Sequence, residues 1–214
     1  MKVHEMRRAY KQFRLSEADV AADPLTQFAT WFRQARETQG TQEANAMTLA
    51  TASADGVPSA RIVLLKAVHD GAFRFYTNLD SRKGVELREN PRAALVFFWP
   101  WLEQQVRVSG VVHLLPRSVV SAYFTTRPRM SRIGAHTSPQ SAVIPDRDAL
   151  VVRRDAVEQR FAGQEDIPPP DRWGGFALTP SQLEFWQGRP GRLHDRLRYV
   201  READGRWRLE RLAP

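Results

Sequence analysis

Three Asp-Gly steps, Asp55-Gly56, Asp70-Gly71 and Asp204-Gly205, punctuate runs of alternating apolar and polar residues. Gly tolerates the positive φ that tight turns between right-twisted strands require, and Asp can bond its own backbone. Each step therefore marks an antiparallel hairpin. The flanking runs read as strands at 47–52, 61–66, 73–77, 93–99 and 105–112, with 176–186 pairing 197–202 and a last strand at 207–212. A parallel sheet would need a helix between successive strands, and no such alternation occurs. The expected fold is mainly β with α, an α+β chain built on an antiparallel barrel with flanking helices.

The helices are marked by their ends. Asp23-Pro24 suits an N-cap followed by a first helical residue, and Leu25, Phe28, Trp31, Phe32 and Ala35 recur at helical spacing. A short helix runs from Asp80-Ser81 to Asn90-Pro91, another over 118–126 is closed by Arg127-Pro128, and a charged one covers 146–161. Residues 129–140 read as a polar loop, and Pro168-Pro169-Pro170 as a rigid spacer. Residues 1–22 form a basic arm, and 23–214 a single domain.

Several chemistries are excluded. The chain has no cysteine, so it offers no disulfide or thiolate nucleophile. Phosphate-loop and dinucleotide fingerprints are missing, as are the GxSxG elbow and metal-ligand spacings, so no metal is expected. No apolar run would span a bilayer and the N-terminus lacks a signal-peptide core, which predicts a cytoplasmic chain without membrane contact.

The formal net charge is +8, which attracts anions or is merely a solvated surface. Position discriminates. Ser81-Arg82-Lys83 opens a helix, where free N–H groups favour a phosphate; alternatively Ser81 caps and the cations are solvated. Arg61 and Lys66 flank one strand, on opposite faces if it is regular. Tyr123, Arg127 and Ser131 can bind a phosphate together, or Arg127 can satisfy the last helical carbonyls. Arg192, His194 and Arg196 alternate, which would place all three on one face of an extended segment. Trp186 is either core or a surface for a flat ring.

The stretches Arg61-Ile62-Val63-Leu64-Leu65-Lys66, Phe75-Tyr76-Thr77-Asn78, Ser81-Arg82-Lys83, Arg127-Pro128-Arg129, Gln140-Ser141, Trp173-Gly174-Gly175-Phe176 and Glu184-Phe185-Trp186-Gln187-Gly188, followed by Arg192-Leu193-His194-Asp195-Arg196, occur in one order. Together with the ending Glu210-Arg211-Leu212-Ala213-Pro214, they resemble the pyridoxamine 5′-phosphate oxidase family over nearly the whole chain. The resemblance implies an FMN-binding split barrel working as a homodimer, with flavin sites at the subunit interface. It implies oxidation of pyridoxamine or pyridoxine 5′-phosphate to pyridoxal 5′-phosphate, with O2 as acceptor and H2O2 as product. The implied FMN residues are Arg61, Ile62, Val63, Leu64, Leu65, Lys66, Tyr76, Thr77, Arg82, Lys83, Gln105, Gln140, Ser141, Trp186 and Arg196. The implied substrate-phosphate residues are Lys66, Tyr123, Arg127 and Ser131. Arg192 and His194 would sit at the reacting carbon as the catalytic pair, and Arg7, Arg8 and Tyr10 would belong to an arm over the substrate. A flavin oxidase of the same barrel acting on a phenazine precursor is the alternative. A non-catalytic barrel binding nucleic acid or another polyanion explains the charge but not the stretch from Trp186 to Arg196; the expected partners are phosphorylated B6 vitamers, not nucleic acid.

Overall fold

The computed structural model describes residue 10, residues 13–38 and residues 43–214. In chain order the elements are α1 (Pro24–Glu37), β1 (Ala46–Ala52), β2 (Pro58–Leu64), β3 (Ala67–His69), β4 (Ala72–Asn78), α2 (Arg82–Glu89), β5 (Arg92–Trp99), β6 (Gln104–Leu114), α3 (Arg117–Thr125), α4 (Arg129–Thr137), α5 (Asp148–Arg160), β7 (Trp173–Gln187), β8 (Asp195–Arg201) and β9 (Trp207–Arg211). All strand pairs are antiparallel. The turn glycines Gly56, Gly71 and Gly205 have φ of 87°, 73° and 86°, the region the Asp-Gly steps predict.

The sheet runs β2-β1-β5-β6-β7-β4-β3. Its two ends are one piece of chain. β2 pairs β1, then the Leu65 N–H donates to the Asn45 carbonyl and the Lys66 N–H to the Arg74 carbonyl, after which β3 pairs β4. The hand-over closes the barrel, leaving no free edge between β2 and β3. β7 is long enough to serve two partners on one side: Trp173–Leu178 pair β4, and Gln182–Gln187 pair β8. The sheet therefore forks on β7, and β8 and β9 form a flap outside the barrel, which gives the split form.

The barrel is filled by the inward-facing residues of each strand. Met47, Leu49, Phe73, Phe75, Phe97, Val106, Val108, Leu183 and Phe185 are all at most 1 % exposed. α1 covers this core with the predicted stripe: Phe28 lies 4.9 Å from Phe73 and Trp31 5.2 Å from Phe185, ring centre to ring centre. Asp23 caps it by accepting from the Thr26 N–H at 2.8 Å. Burying side chains of this size contributes roughly 1.5–3 kcal/mol each, the main force holding the barrel.

A second, smaller core lies under α3, α4 and α5, with Phe124, Ile133, Phe161, Ile167 and Trp173 buried together. Residues 129–137, expected from the sequence to be part of a polar loop, form a helix. Pro128 enters it with φ −53°, and Ile133 points into the small core while Arg129 and Arg132 donate to the carbonyls of Phe161 and Glu165 beyond α5. One apolar anchor among polar residues and a central Gly134 obscured the helical period. The proline spacer belongs to the same unit, since Arg117 donates to the carbonyls of Pro169 and Pro170. Residues 13–22 are seated on the flap and barrel: Leu15 is buried, its N–H donates to Asp195, and the Tyr199 hydroxyl donates to the Ala21 carbonyl.

Candidate active site

The first turn of α2 separates the two cations that the sequence places together. Ser81 is the N-cap and accepts from the Gly84 N–H at 3.3 Å. Lys83 folds inward and is 9 % exposed. Its Nζ reaches Gln140 Oε1 at 3.0 Å and the hydroxyls of Thr77 and Ser81 at 3.3 Å. All three acceptors are neutral. Burial draws the Lys83 pKa down, the nearby Arg61 charge adds to this, and Glu86 opposes it. Arg82 points the other way, and its Nε donates to Glu86 Oε1 at 2.8 Å.

Glu86 is the counter-charge behind this wall. It is 4 % exposed and accepts from Thr51 Oγ1 at 2.5 Å, Ser59 Oγ at 2.6 Å, Arg82, and Arg61 at 3.3 Å. Burial alone would raise its pKa. The Ser59, Thr51 and Arg82 hydrogen bonds and the Arg61 charge outweigh burial and hold it at about 2. Arg61 is fixed in turn, its NH1 donating to the Leu49 carbonyl and Thr51 Oγ1.

The opposite wall is aromatic. Tyr76, Tyr123 and Trp173 stack, with Tyr76 4.0 Å from Tyr123 and 5.3 Å from Trp173. The Arg127 guanidinium lies over Trp173 at 4.9 Å and over Phe124 at 5.3 Å. Its NH1 is buried without a hydrogen-bond partner. Arg127 does not satisfy the carbonyls of α3; burial draws its pKa down, and the adjacent phenol of Tyr123 counters this.

Between these walls lies a cleft of about 890 Å³. Arg61, Lys66, Lys83 and Arg127 all line it, and among the described residues no Asp or Glu does. Arg61 and Lys66 share it because the chain changes partners at Leu65, which breaks the regular alternation; Leu65 itself is buried in the barrel core. Ile62, Val63, Leu64, Tyr76, Thr77, Tyr123, Ser131, Gln140 and Ser141 complete the predicted set on this surface. Ser141 sits at φ 73°, a costly conformation for a non-Gly residue and a frequent mark of functional loops. Arg82 instead lines a neighbouring groove with Gln140 and Ser141. Trp173 and Asn78 also line the cleft; they carry no role in the sequence reading, although both stand in its matching stretches.

The remaining predicted residues gather elsewhere on the chain. Gln105, Trp186 and Arg196 are side by side across β6, β7 and β8. His194 packs on Trp186 at 4.7 Å, and Tyr10 meets both rings at 5.6 Å. A Cβ on Gly188 would lie 2.7 Å from the Tyr10 ring, so glycine there is what admits Tyr10. His194 Nδ1 accepts from the Arg189 N–H at 3.1 Å. Burial first and the Arg192 charge second lower its pKa, favouring the neutral ring. Arg196 is pinned by Glu184 Oε1 at 2.8 Å and by the Ala213 carbonyl at 2.9 Å. The extended 192–196 face is not formed: Pro190–Arg192 is a single 3-10 turn, and Arg192 has φ 63°. Pro190 and Gly191 bend the chain before β8 begins. None of these residues lines the cleft. Arg7 and Arg8 lie outside the described residues.

Among the described residues no three His, Asp or Glu converge as metal ligands, and no helix is long and apolar enough to cross a membrane.

Residues 34–161 match the sequence profile of the family described as pyridoxamine 5′-phosphate oxidase. Residues 173–214 match the profile described as pyridoxine 5′-phosphate oxidase C-terminal dimerisation region. The chain is 50 % identical over 214 residues to a pyridoxine/pyridoxamine 5′-phosphate oxidase of Salinibacter ruber, covering 100 % of this chain and 99 % of that one. It is 52 % identical over 212 residues to the protein of the same name from Acaryochloris marina, covering 99 % and 95 %. Among solved structures, PhzG from Burkholderia lata, in complex with tetrahydrophenazine-1-carboxylic acid, superposes with a TM-score of 0.88 at 29 % identity, covering 97 % of this chain and 100 % of that one. An FMN-binding protein from Nostoc punctiforme shares the fold at a TM-score of 0.70 and 19 % identity, covering 94 % and 100 %.

Proposed function

The chain belongs to the pyridoxamine 5′-phosphate oxidase family, and from that premise we propose that it oxidises pyridoxamine and pyridoxine 5′-phosphates to pyridoxal 5′-phosphate with bound FMN. The observation that carries this reading is the cleft. Four cations face one space without an acidic residue among the described residues of its lining, and they are held in two separate ways. Lys83 and Arg61 stand on the polar wall; Arg127 stands on the aromatic wall with Tyr123, and Ser131 and Lys66 line the same cleft. Two centres of this kind suit two phosphates.

The residues fit an FMN molecule. Lys83 is a buried ammonium with only neutral acceptors, and Arg127 presents an unsatisfied buried N–H. Each gains most from an anion, because charge-assisted bonds in a desolvated site are the strong ones. Thr77, Arg82, Lys83, Gln140 and Ser141 would hold the FMN phosphate side, and Gln105, Trp186 and Arg196 the ring. Bound FMN would supply a two-electron acceptor, with O2 as the final oxidant and H2O2 as its product. The alcohol substrate would become the aldehyde directly; the amine would first be oxidised to an imine, which then takes up water and releases ammonia.

The chain's own contribution is positional. Lys66, Tyr123, Arg127 and Ser131 would fix the substrate phosphate, and Arg192 and His194 would set the reacting carbon. Correct orientation of this kind accounts for a large share of many rate enhancements. The neutral His194 ring, with Nδ1 occupied by the Arg189 N–H, leaves Nε2–H as a donor.

A homodimer follows from the division of the site. The ring-side residues lie off the cleft in one chain, so a second copy would complete it, and the match of residues 173–214 to a dimerisation region supports this. Oxidation of a phenazine precursor is the second reading, favoured by the likeness to PhzG. The higher identity to the pyridoxine/pyridoxamine phosphate oxidases and the Tyr123/Arg127/Ser131 set weigh against it.

The test is reconstitution. FMN is titrated into purified protein, and pyridoxal 5′-phosphate formation and O2 uptake are followed with both vitamers. A chain that binds no flavin, or that turns over only a phenazine precursor, overturns the proposal.

A further inference from the structure

Arg127 is fixed differently from the arginines that carboxylates hold. Arg61 is paired with Glu86, Arg196 with Glu184, and Arg211 with Glu17 and Asp195. Among the described residues no carboxylate pairs with Arg127, and its buried NH1 bonds to nothing. It is nevertheless held in place, over the rings of Trp173 and Phe124.

The difference has a physical meaning. A carboxylate would orient the guanidinium but also neutralise it and compete for its N–H groups. An aromatic face attracts a cation through its quadrupole, offers no acceptor in the guanidinium plane, and leaves the net charge intact. Trp gives the strongest such field. Trp173 is itself fixed: it is 6 % exposed, parallel to Tyr76 and Tyr123 within 8°, and edge-on to Phe124 at 4.7 Å. The register of β7 against β4 places it opposite Asn78, and both line the cleft.

We infer that Trp173 is a positioning residue for phosphate recognition: its indole face holds Arg127 oriented and un-neutralised, so that the guanidinium keeps its full charge and free N–H groups for the phosphate ester of the substrate. This rests on the proposed assignment of Arg127 to the substrate phosphate. Trp173 makes no bond to the reacting carbon and takes no part in the redox step.

The experiment compares Trp173→Leu, Trp173→Phe and Arg127→Ala with the wild-type holoenzyme. KM, kcat, competitive inhibition by inorganic phosphate and the Kd for FMN are measured for each. Loss of the indole face should raise KM and the phosphate inhibition constant together, about three- to thirtyfold in Trp173→Leu, the span of a cation–π contact. Trp173→Phe retains a weaker face and much of the packing, so it should give a smaller rise of the same kind. In both, kcat and FMN affinity should stay near wild type, as expected when binding common to ground and transition states is removed. Trp173→Phe carries the test if the leucine variant fails to fold. A parallel fall in kcat and FMN affinity would mean that Trp173 serves only packing, and overturns the inference. So would an unchanged phosphate inhibition constant in both Trp173 variants when Arg127→Ala raises it. If Arg127→Ala itself leaves that constant and KM alone, the assignment of Arg127 is what fails.

Discussion

Replacing Glu86 by Gln removes a buried negative charge while preserving shape. The carboxylate is held at about 2 against an ordinary 4.5. A depressed folded-state pKa contributes stability above the unfolded value, and that stability is lost as pH falls through the folded value. The shift corresponds to about 3 kcal/mol at neutral pH, as an order of magnitude. The same linkage leaves about 1.4 kcal/mol at pH 3, because the unfolded carboxylate is by then protonated and the folded one only partly. Urea unfolding of wild type and Glu86→Gln at pH 7 and pH 3 measures the difference directly. The stability gap should narrow by about 2 kcal/mol between the two. A gap that does not change with pH would refute the reasoning. The loss would then come from hydrogen-bond geometry with Thr51 and Ser59, and not from ionised Glu86.

Three further outcomes are expected. Lys83→Met should weaken FMN binding about tenfold or more, the worth of a charge-assisted bond, without destabilising the flavin-free protein, because a desolvated charge has been removed; fluorescence titration and thermal melts check both halves. Arg127→Ala should raise KM with FMN content unchanged, and release of FMN at constant KM would mean that the two phosphate assignments are exchanged. Light scattering should report a dimer, and co-expression of Arg127→Ala with Arg196→Ala should recover about a quarter of wild-type kcat/KM at low substrate, since half the dimers are mixed and each carries one intact site. No recovery from mixed dimers would place both residues in one subunit's site.

The barrel was readable because its signals are local. Asp-Gly turns, period-two alternation and the Asp23-Pro24 cap each act within a few residues, and the strands other than the short β3, which the sequence does not announce, appear within a residue or three of the expected ends. α4 was not, because only Ile133 is buried on it and the small core that demands it is assembled from α3, α5 and β7. The site shows the same limit. Residue types and order pointed to Lys83 and Arg127, but whether they were solvated could not be read locally. Lys83 is buried by Gln140, 57 positions away, and Arg127 is held by Trp173, 46 positions away. Glu86 carried no motif at all; its importance arises from Thr51, Ser59 and Arg61, which β1 and β2 bring to α2.

The place of β7 between β6 and β4 bears on how the chain comes off the ribosome. Every other barrel stave is synthesised before it, yet neither the β6 edge nor the β4 edge has its partner until Gln187 has emerged. For most of synthesis the nascent chain is an open sheet with two unpaired edges and a half-exposed apolar lining, the state most prone to pair with a neighbour. Folding must wait for contacts between residues far apart in sequence, which slows closure. A stop codon shortly before Trp173 would therefore not yield a trimmed monomer. It would yield a barrel with a missing stave, and such a product should be found in aggregates or bound to chaperones.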